Sequence, residues 1–314
     1  MSELIKGHSP DYSLLKELCQ VHAPSGNEVA MKNFIVEYVK KHSKGWVCQP
    51  ELIVGDEIQD CVMLKFGTPR TAAFAHMDSI GFTVRYQNQL VAIGGPEIHS
   101  GYELVGEDSL GLIACELEVN KDHQIFYKFG RAIDRGTDLV FKCHFEETEE
   151  EITSCYLDNR LGVFNLLKLA ETLQDGLLVF SCWEEHGGGS VPIIARIMYE
   201  RWQIRQALIS DITWVTDGVH PGSGVVISMR DRNIPRKRFI NKIIDIAETS
   251  GVAYQLEVEA SGSSDGRELQ TSPYPIDWCF IGAPEENVHS PYEKVSKYDV
   301  QCMIQLYQEL MVKL

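Results

Sequence analysis

The chain has 314 residues, 44% of them hydrophobic, and a formal net charge of −16 at pH 7. This length and apolar content allow a large core in one domain or two. An excess of 45 Asp and Glu over 29 Lys and Arg argues against nucleic acid and against an anionic membrane surface as partners, because neutralising phosphate takes cations.

Leu14, Leu15, Leu18 and Cys19 recur at helical spacing, so residues 11–20 read as a helix. Ser25 followed by Glu28 has the form of a capping box. Met31, Phe34, Ile35, Tyr38 and Val39 make one apolar face, which predicts a second helix over about 27–41. Residues 51–95 alternate strand-like runs with turns, and "TAAFA", 71–75, is a short buried strand ending at His76. From about 82 to 145, runs such as "FTVRYQ" and "DLVFKCHF" are separated by Gly, Asp and Asn turns, the pattern of a small all-β module. After Glu151 helices and strands alternate: helix 161–173, strand 177–183, helix 191–203, strand 207–210, helix 236–250, a strand in "IDWCFIGAP" and a helix over 294–314. The expected fold is an α/β domain with a mixed sheet, residues 1–82 plus 152–314, interrupted by a β insertion at 83–151. The acidic run "FEETEEEI", 145–152, reads as a solvated loop or edge.

No run of ~18 apolar residues is present, and "MSELIKGHSPDYSLL" lacks the apolar core of a secretory leader. A cytoplasmic protein is expected. The nine cysteines include no Cys-x-x-Cys pair and sit in settings such as "LIACEL" and "DWCFIG". Reduced, buried, structural thiols are expected.

The chemistry gathers at strand ends. His76 follows "TAAFA", with Asp78 two residues on; Glu184 and Glu185 follow "LLVFSCW"; Asp211 follows "ALIS"; Asp158 lies in "YLDNRLG" before a helix; His289 lies in "NVHSPYE". In α/β sheets, ligands bind outside the carboxyl ends of the strands. Each of these residues has an ordinary explanation alone, as a loop histidine or a helix-start carboxylate. Brought to one edge, they would repel and desolvate one another without a cation. Two divalent ions need a bridging carboxylate and about two further ligands each. Five ligands and one spare Glu meet that count.

The segments "APSGNE", "AHMDSIGF", "LDNRLG", "WEEHG", "SDIT" and "VHSPYE" occur in this order. Together they resemble the dinuclear metallo-aminopeptidases that include the tetrahedral, glutamyl and deblocking enzymes, some of them once labelled cellulases. The resemblance runs from about Leu14 to the end and is weakest in the β insertion. It implies a zinc-peptidase-like α/β/α sandwich and two divalent metals, zinc first, with cobalt or manganese as alternatives. It implies that His76 and Asp211 bind one metal, Glu185 and His289 the other, and that Asp158 bridges them. Glu184 is then the general base, and Asp78 hydrogen-bonds the far nitrogen of His76. Asn159 fills a position that is Asp or Asn in the family. The implied reaction is hydrolysis of N-terminal residues from peptides by a homo-oligomer, the β insertion serving assembly and access. An N-acyl amino acid deacylase, a carboxypeptidase, or a non-catalytic binding protein with this fold are the alternatives. Two segments depart from the pattern. The double Glu continues as His186-Gly187-Gly188-Gly189, which makes His186 a candidate substrate contact. "ASGSSDGREL" keeps only an outline of the family's Gly-Gly-Thr-Asp, with Gly262, Ser264 and Asp265 as candidates to line the cleft.

Overall fold

A computed structural model describes residues 10–314. The segment MSELIKGHS, the start both of the expected catalytic unit and of the stretch read for a leader, lies outside the described residues. The helices are α1 (Ser13–Cys19), α2 (Val29–His42), α3 (Leu157–Ala170), α4 (Val191–Trp202), α5 (Lys237–Ser250), α6 (Gly266–Thr271) and α7 (Lys297–Lys313). The strands begin with β1 (Glu51–Ile53), β2 (Val62–Phe66) and β3 (Ala72–His76). Six follow without a helix between them: β4 (Gly81–Val84), β5 (Leu90–Ile93), β6 (Glu103–Asp108), β7 (Gly111–Val119), β8 (Ile125–Lys128) and β9 (Asp138–Phe141). The rest are β10 (Glu146–Glu147), β11 (Glu151–Ser154), β12 (Gly176–Ser181), β13 (Gln206–Trp214), β14 (Val225–Arg230), β15 (Tyr254–Val258), β16 (Asp277–Glu286) and β17 (Glu293–Ser296).

One mixed sheet runs β1-β2-β12-β3-β13-β16-β17-β11-β10, with β14 and β15 branching from β16. Its centre, β12-β3-β13-β16, is parallel. These strands carry near-continuous apolar text, as "LLVF" in β12, because helices and neighbours cover both faces; every residue of β3 and β12 is buried. Helix α3 packs on β3 and β13, α7 on β14 and β16, and α6 on β16. Gly162 makes the close approach of α3 possible, since a Cβ there would lie 2.2 Å from the Ser210 carbonyl oxygen. The α/β expectation therefore holds, with a large mixed sheet at its centre.

The second sheet is antiparallel, ordered β5-β4-β9-β6-β7-β8. In β7 Ile113, Cys115 and Leu117 point inward while Glu116 and Glu118 are exposed, the period of two of a sheet with one solvated face. Its core is separate, built around Phe82, Leu104, Phe141 and Tyr156.

Local readings differ from the structure in two places that matter for the site. The strand read as 207–210 continues to Trp214, because β13 pairs with β16 as far as Trp214 and Glu285; Asp211 is thus inside a strand rather than after it. The capping box does not form. Helix α2 has no side-chain cap, and both of its expected members are drawn to the strand edge. The Ser25 hydroxyl donates to Asp78 Oδ2 at 2.6 Å, and Glu28 Oε1 accepts the N–H groups of Gly26 and Trp183 at 2.9 and 3.2 Å. None of the nine cysteines is in a disulfide, and seven are buried. No helix among the described residues is long and apolar enough to cross a membrane.

Candidate active site

The parallel register sets the carboxyl ends of four strands side by side. His76 ends β3 opposite Ser181 of β12, and Asp211 of β13 lies opposite Gly282 of β16. Asp158 enters from the first turn of α3, Glu184 and Glu185 from a single 3-10 turn after β12, and His289 from the loop between β16 and β17. The acidic pair is therefore not on extended chain. Trp183 takes a left-handed conformation and the turn Glu184–His186 follows it, so turn geometry separates the two carboxylates, not strand alternation.

The donor atoms form two groups that share Asp158. His76 Nε2 is 3.1 Å from Asp158 Oδ1 and 3.6 Å from Asp211 Oδ2. His289 Nε2 is 3.2 Å from Asp158 Oδ2 and 3.2 Å from Glu185 Oε2. Asp158 thus turns one oxygen to each histidine. Within each group one atom per residue lies within 4.8 Å of the others. A tetrahedron with bonds near 2.1 Å has edges of roughly 3.4 Å, so these separations suit ligands of one ion. Glu185 Oε1 is buried without a hydrogen-bond partner, a costly state for a carboxylate that a nearby cation offsets. The residue types and their spacing fit two divalent metals. Glu184 belongs to neither group; its Oε2 stands 3.9 Å from His76 Nε2.

The supports are backbone-directed. Asp78 accepts the N–H groups of Glu184 and Glu185, each at 3.1 Å, so it fixes the whole acidic turn. His76 Nδ1 faces Asp78 Oδ1 at 3.5 Å, and that carboxylate helps to raise the imidazole. His289 Nδ1 meets the Gly95 carbonyl at 3.1 Å, which assigns the proton to Nδ1 and leaves Nε2 free as a ligand. The Gly94–Gly95 segment follows β5, so the second sheet helps to orient a histidine of the first.

A cavity of about 300 Å³ opens in front of these groups, lined by His76, Asp158, Glu184, Glu185, Asp211 and His289 and extending to Trp214, Asp231, Glu257 and Gly262. Of the four candidate substrate contacts only Gly262 lines it. His186 Nδ1 instead accepts the Gly94 N–H at 3.0 Å. Ser264 donates to Asp211 Oδ2 at 2.6 Å, and buried Asp265 accepts from the Ser181 hydroxyl. These three hold in place the segments that bear the candidate ligands. The triple glycine has a backbone reason: Gly187, Gly188 and Gly189 all have positive φ, and a Cβ on Gly188 would meet the Glu268 carboxyl at 2.6 Å.

A family model described as M42 glutamyl aminopeptidase matches residues 127–306. The chain belongs to the M42 glutamyl aminopeptidase family. It is a metal-dependent aminopeptidase, a peptide hydrolase. A relative from Acetivibrio thermocellus named "Putative aminopeptidase" is 26% identical over 333 residues, spanning 95% of this chain and 97% of the relative. Two solved structures share the fold. The aminopeptidase APDkam598 of the archaeon Desulfurococcus kamchatkensis has a TM-score of 0.82 at 23% identity, covering 95% of this chain and 93% of its own. The TET1 peptidase of Pyrococcus horikoshii, which assembles into a tetrahedron or a large octahedral shell, has a TM-score of 0.81 at 20% identity, covering 96% and 99%.

In this M42 aminopeptidase the electrostatics of the bare side chains are those of a site built around positive charge. Burial pulls the His76 imidazole down, but Asp211, Asp158 and Asp78 outweigh it and the net shift is well upward. His289 is pushed up to about 12 against its burial, by Asp158 and Glu185. Burial raises Glu184 well above the carboxylate range, with Glu185 and Asp211 adding to it, and raises Glu185 to about 7 with help from Asp158. Asp158 runs the other way: burial opposes ionisation, but both histidines hold its carboxyl low.

Three further residues, of which the sequence reading passed over Arg160 and Glu293, support the M42 centre. Arg160, wholly buried, donates to the carbonyls of Met77, Asp78 and Val21 and so clamps the turn after His76. Glu293, also buried, accepts the backbone N–H of His289 at 2.9 Å and of Asp158 at 3.2 Å, tying these two candidate ligands to one carboxylate. Asn159 donates to the Ser210 carbonyl at 2.9 Å and accepts the Gly162 N–H at 2.8 Å. The signal for Arg160 and Glu293 was a charge inside an otherwise apolar or ligand-bearing motif, "LDNRLG" and "VHSPYE".

Proposed function

We propose that this enzyme removes N-terminal residues from peptides, with His76, Asp158 and Asp211 holding one divalent ion, Asp158, Glu185 and His289 a second, and Glu184 as general base. The observation that carries this reading is the sharing of Asp158 between two groups, one oxygen to each. Imidazole and carboxylate donors favour zinc, with cobalt and manganese as alternatives. Two such ions, when bound, polarise the scissile carbonyl and make water a stronger acid. The Glu184 carboxylate takes a proton from the attacking water as the C–O bond forms, and returns it to the departing amine as the C–N bond breaks. Asp78, bonded to the backbone of Glu184 and Glu185, holds base and ligand in fixed relation. A homo-oligomer is the proposed state, by analogy with the shell-forming TET1 peptidase, with residues 83–151 as the unit that serves assembly and access. The nine unpaired cysteines suit the cytoplasm.

Elemental analysis after reconstitution with zinc, cobalt or manganese tests the reading together with an assay on aminoacyl anilides and N-acyl amino acids. Two ions per chain with cleavage of the anilides is the expected result. Cleavage of N-acyl amino acids alone assigns the centre to a deacylase, and absence of stoichiometric metal removes the catalytic reading.

A further inference from the structure

Beyond the ligands, the cavity wall carries three more acids. Asp231 follows β14, Glu257 lies on β15 and Glu259 follows it, and all three line the cavity. Asp231 and Glu257 are 8% and 4% exposed. Burying carboxylates is costly unless a positive charge or hydrogen bonds compensate. The hydrogen bonds are few: Thr213 donates to Glu257 Oε1 and the Asn233 N–H to Asp231 Oδ1. Ser228, the register partner of Glu257, turns its buried hydroxyl toward the same carboxyl. The Arg230 guanidinium donates to the Asp231 carbonyl at 3.1 Å. Among the described residues none forms an ion pair with any of the three. Burial raises the Glu257 carboxyl, and Glu259 and Asp231 raise it further against the hydroxyls of Ser228 and Thr213; burial also raises Asp231, opposed by Asn233 and by the Arg230 charge.

Nor are they arranged as a metal site. Among the described residues, the groups of donor atoms that converge within 4.8 Å are the two at the catalytic centre. A long cation with an apolar stem fits better. The same cavity is also lined by the apolar Ile212, Trp214 and Phe280. Asp211 and Thr213 are two residues apart on β13, hence on the same face and roughly 7 Å apart. Glu257, bonded to Thr213, therefore sits about one long side chain away from the metal ligand Asp211.

We propose that this wall is the pocket for the side chain of the N-terminal residue, and that it selects lysine or arginine. The stem lies on Ile212, Trp214 and Phe280, and the ammonium or guanidinium meets Glu257 and Asp231, with Glu259 at the rim. An N-terminal Glu, the residue in the family's description, meets like charge there. The assignment rests on the aminopeptidase reading above and adds the substrate class.

Zinc-, cobalt- or manganese-loaded full-length protein is assayed on the anilides of Lys, Arg, Leu and Glu. The Lys and Arg substrates are expected to exceed Leu in kcat/KM by about tenfold or more, with Glu slowest. In Glu257→Gln and, separately, Asp231→Asn, the Lys-to-Leu ratio is expected to fall about tenfold or more, with metal content checked in each. Faster cleavage of Leu or Glu than of Lys overturns the assignment and leaves the aminopeptidase reading standing. An equal loss on all four substrates in the variants also overturns it, because the acids would then hold the α-amine common to all. If no substrate is cleaved with any metal, the aminopeptidase reading itself fails, and this one with it.

Discussion

At one end of the cavity Asp158, Glu185 and Asp211 turn oxygens toward His76 and His289 at 3.1–3.6 Å. At the other, Asp231, Glu257 and Glu259 line the wall with no histidine among them. Both ends bury acids, and both need positive charge. The difference lies in convergence. Carboxylates that share partners at ligand spacing suit a point dication, whereas acids set apart along an apolar wall suit a cation on a flexible stem. Composition alone, with its net charge of −16, does not separate the two.

The contrast breaks most severely at Asp158. Asp158→Ala removes the residue common to both groups, and is expected to abolish metal binding at both and reduce hydrolysis to background, read by elemental analysis and anilide turnover. Loss of one ion only would show that Asp158 does not bridge. Glu184→Gln is expected to lower kcat by about 10²–10⁴-fold while metal content stays at the wild-type level; loss of metal would instead make Glu184 a ligand. Ser264→Ala removes the 2.6 Å donor to Asp211 Oδ2 and is expected to weaken metal affinity roughly tenfold with little change in kcat at saturating metal. A competition titration with a chelating dye reads that difference.

The smallest effect concerns stability. Burial raises the Glu28 carboxyl to about 7, against the ordinary 4.5, although it accepts the N–H groups of Gly26 and Trp183. The folded state therefore binds more protons than the unfolded chain between these values, and stability contributed by neutral Glu28 is lost as pH rises from about 4.5 through about 7. In chelator-treated protein, Glu28→Gln keeps the acceptor oxygen and is expected to flatten that decline, by at most ~3 kcal/mol. Thermal melts across the window check it; unchanged slopes in the variant would assign the decline to other groups.

Much of this was legible in the text of the chain. The apolar runs "TAAFA" and "LLVF" and the helical face from Met31 to Val39 announce their elements because burial on a strand or helix has a fixed period. The positions of His76, Asp158, Glu185, Asp211 and His289 next to those runs made them candidates for one edge. Capping and strand ends were less legible, because tertiary partners override local preference: Ser25 and Glu28 read as a helix start, yet bond to Asp78, Gly26 and Trp183.

What the sequence by itself determined is the type of chemistry, since only imidazoles and carboxylates at strand ends were available to gather there. What the tertiary structure decided is the division of labour among them. Parallel register brings His76 and Asp211 to one edge, and a 3-10 turn parts Glu184 from Glu185. A loop of the second sheet orients His289 through Gly95. Asp231, Glu257 and Glu259 come to one wall only through the branching of β14 and β15 from β16. Such convergence depends on chain crossings tens of residues apart, and local periodicity carries no record of them.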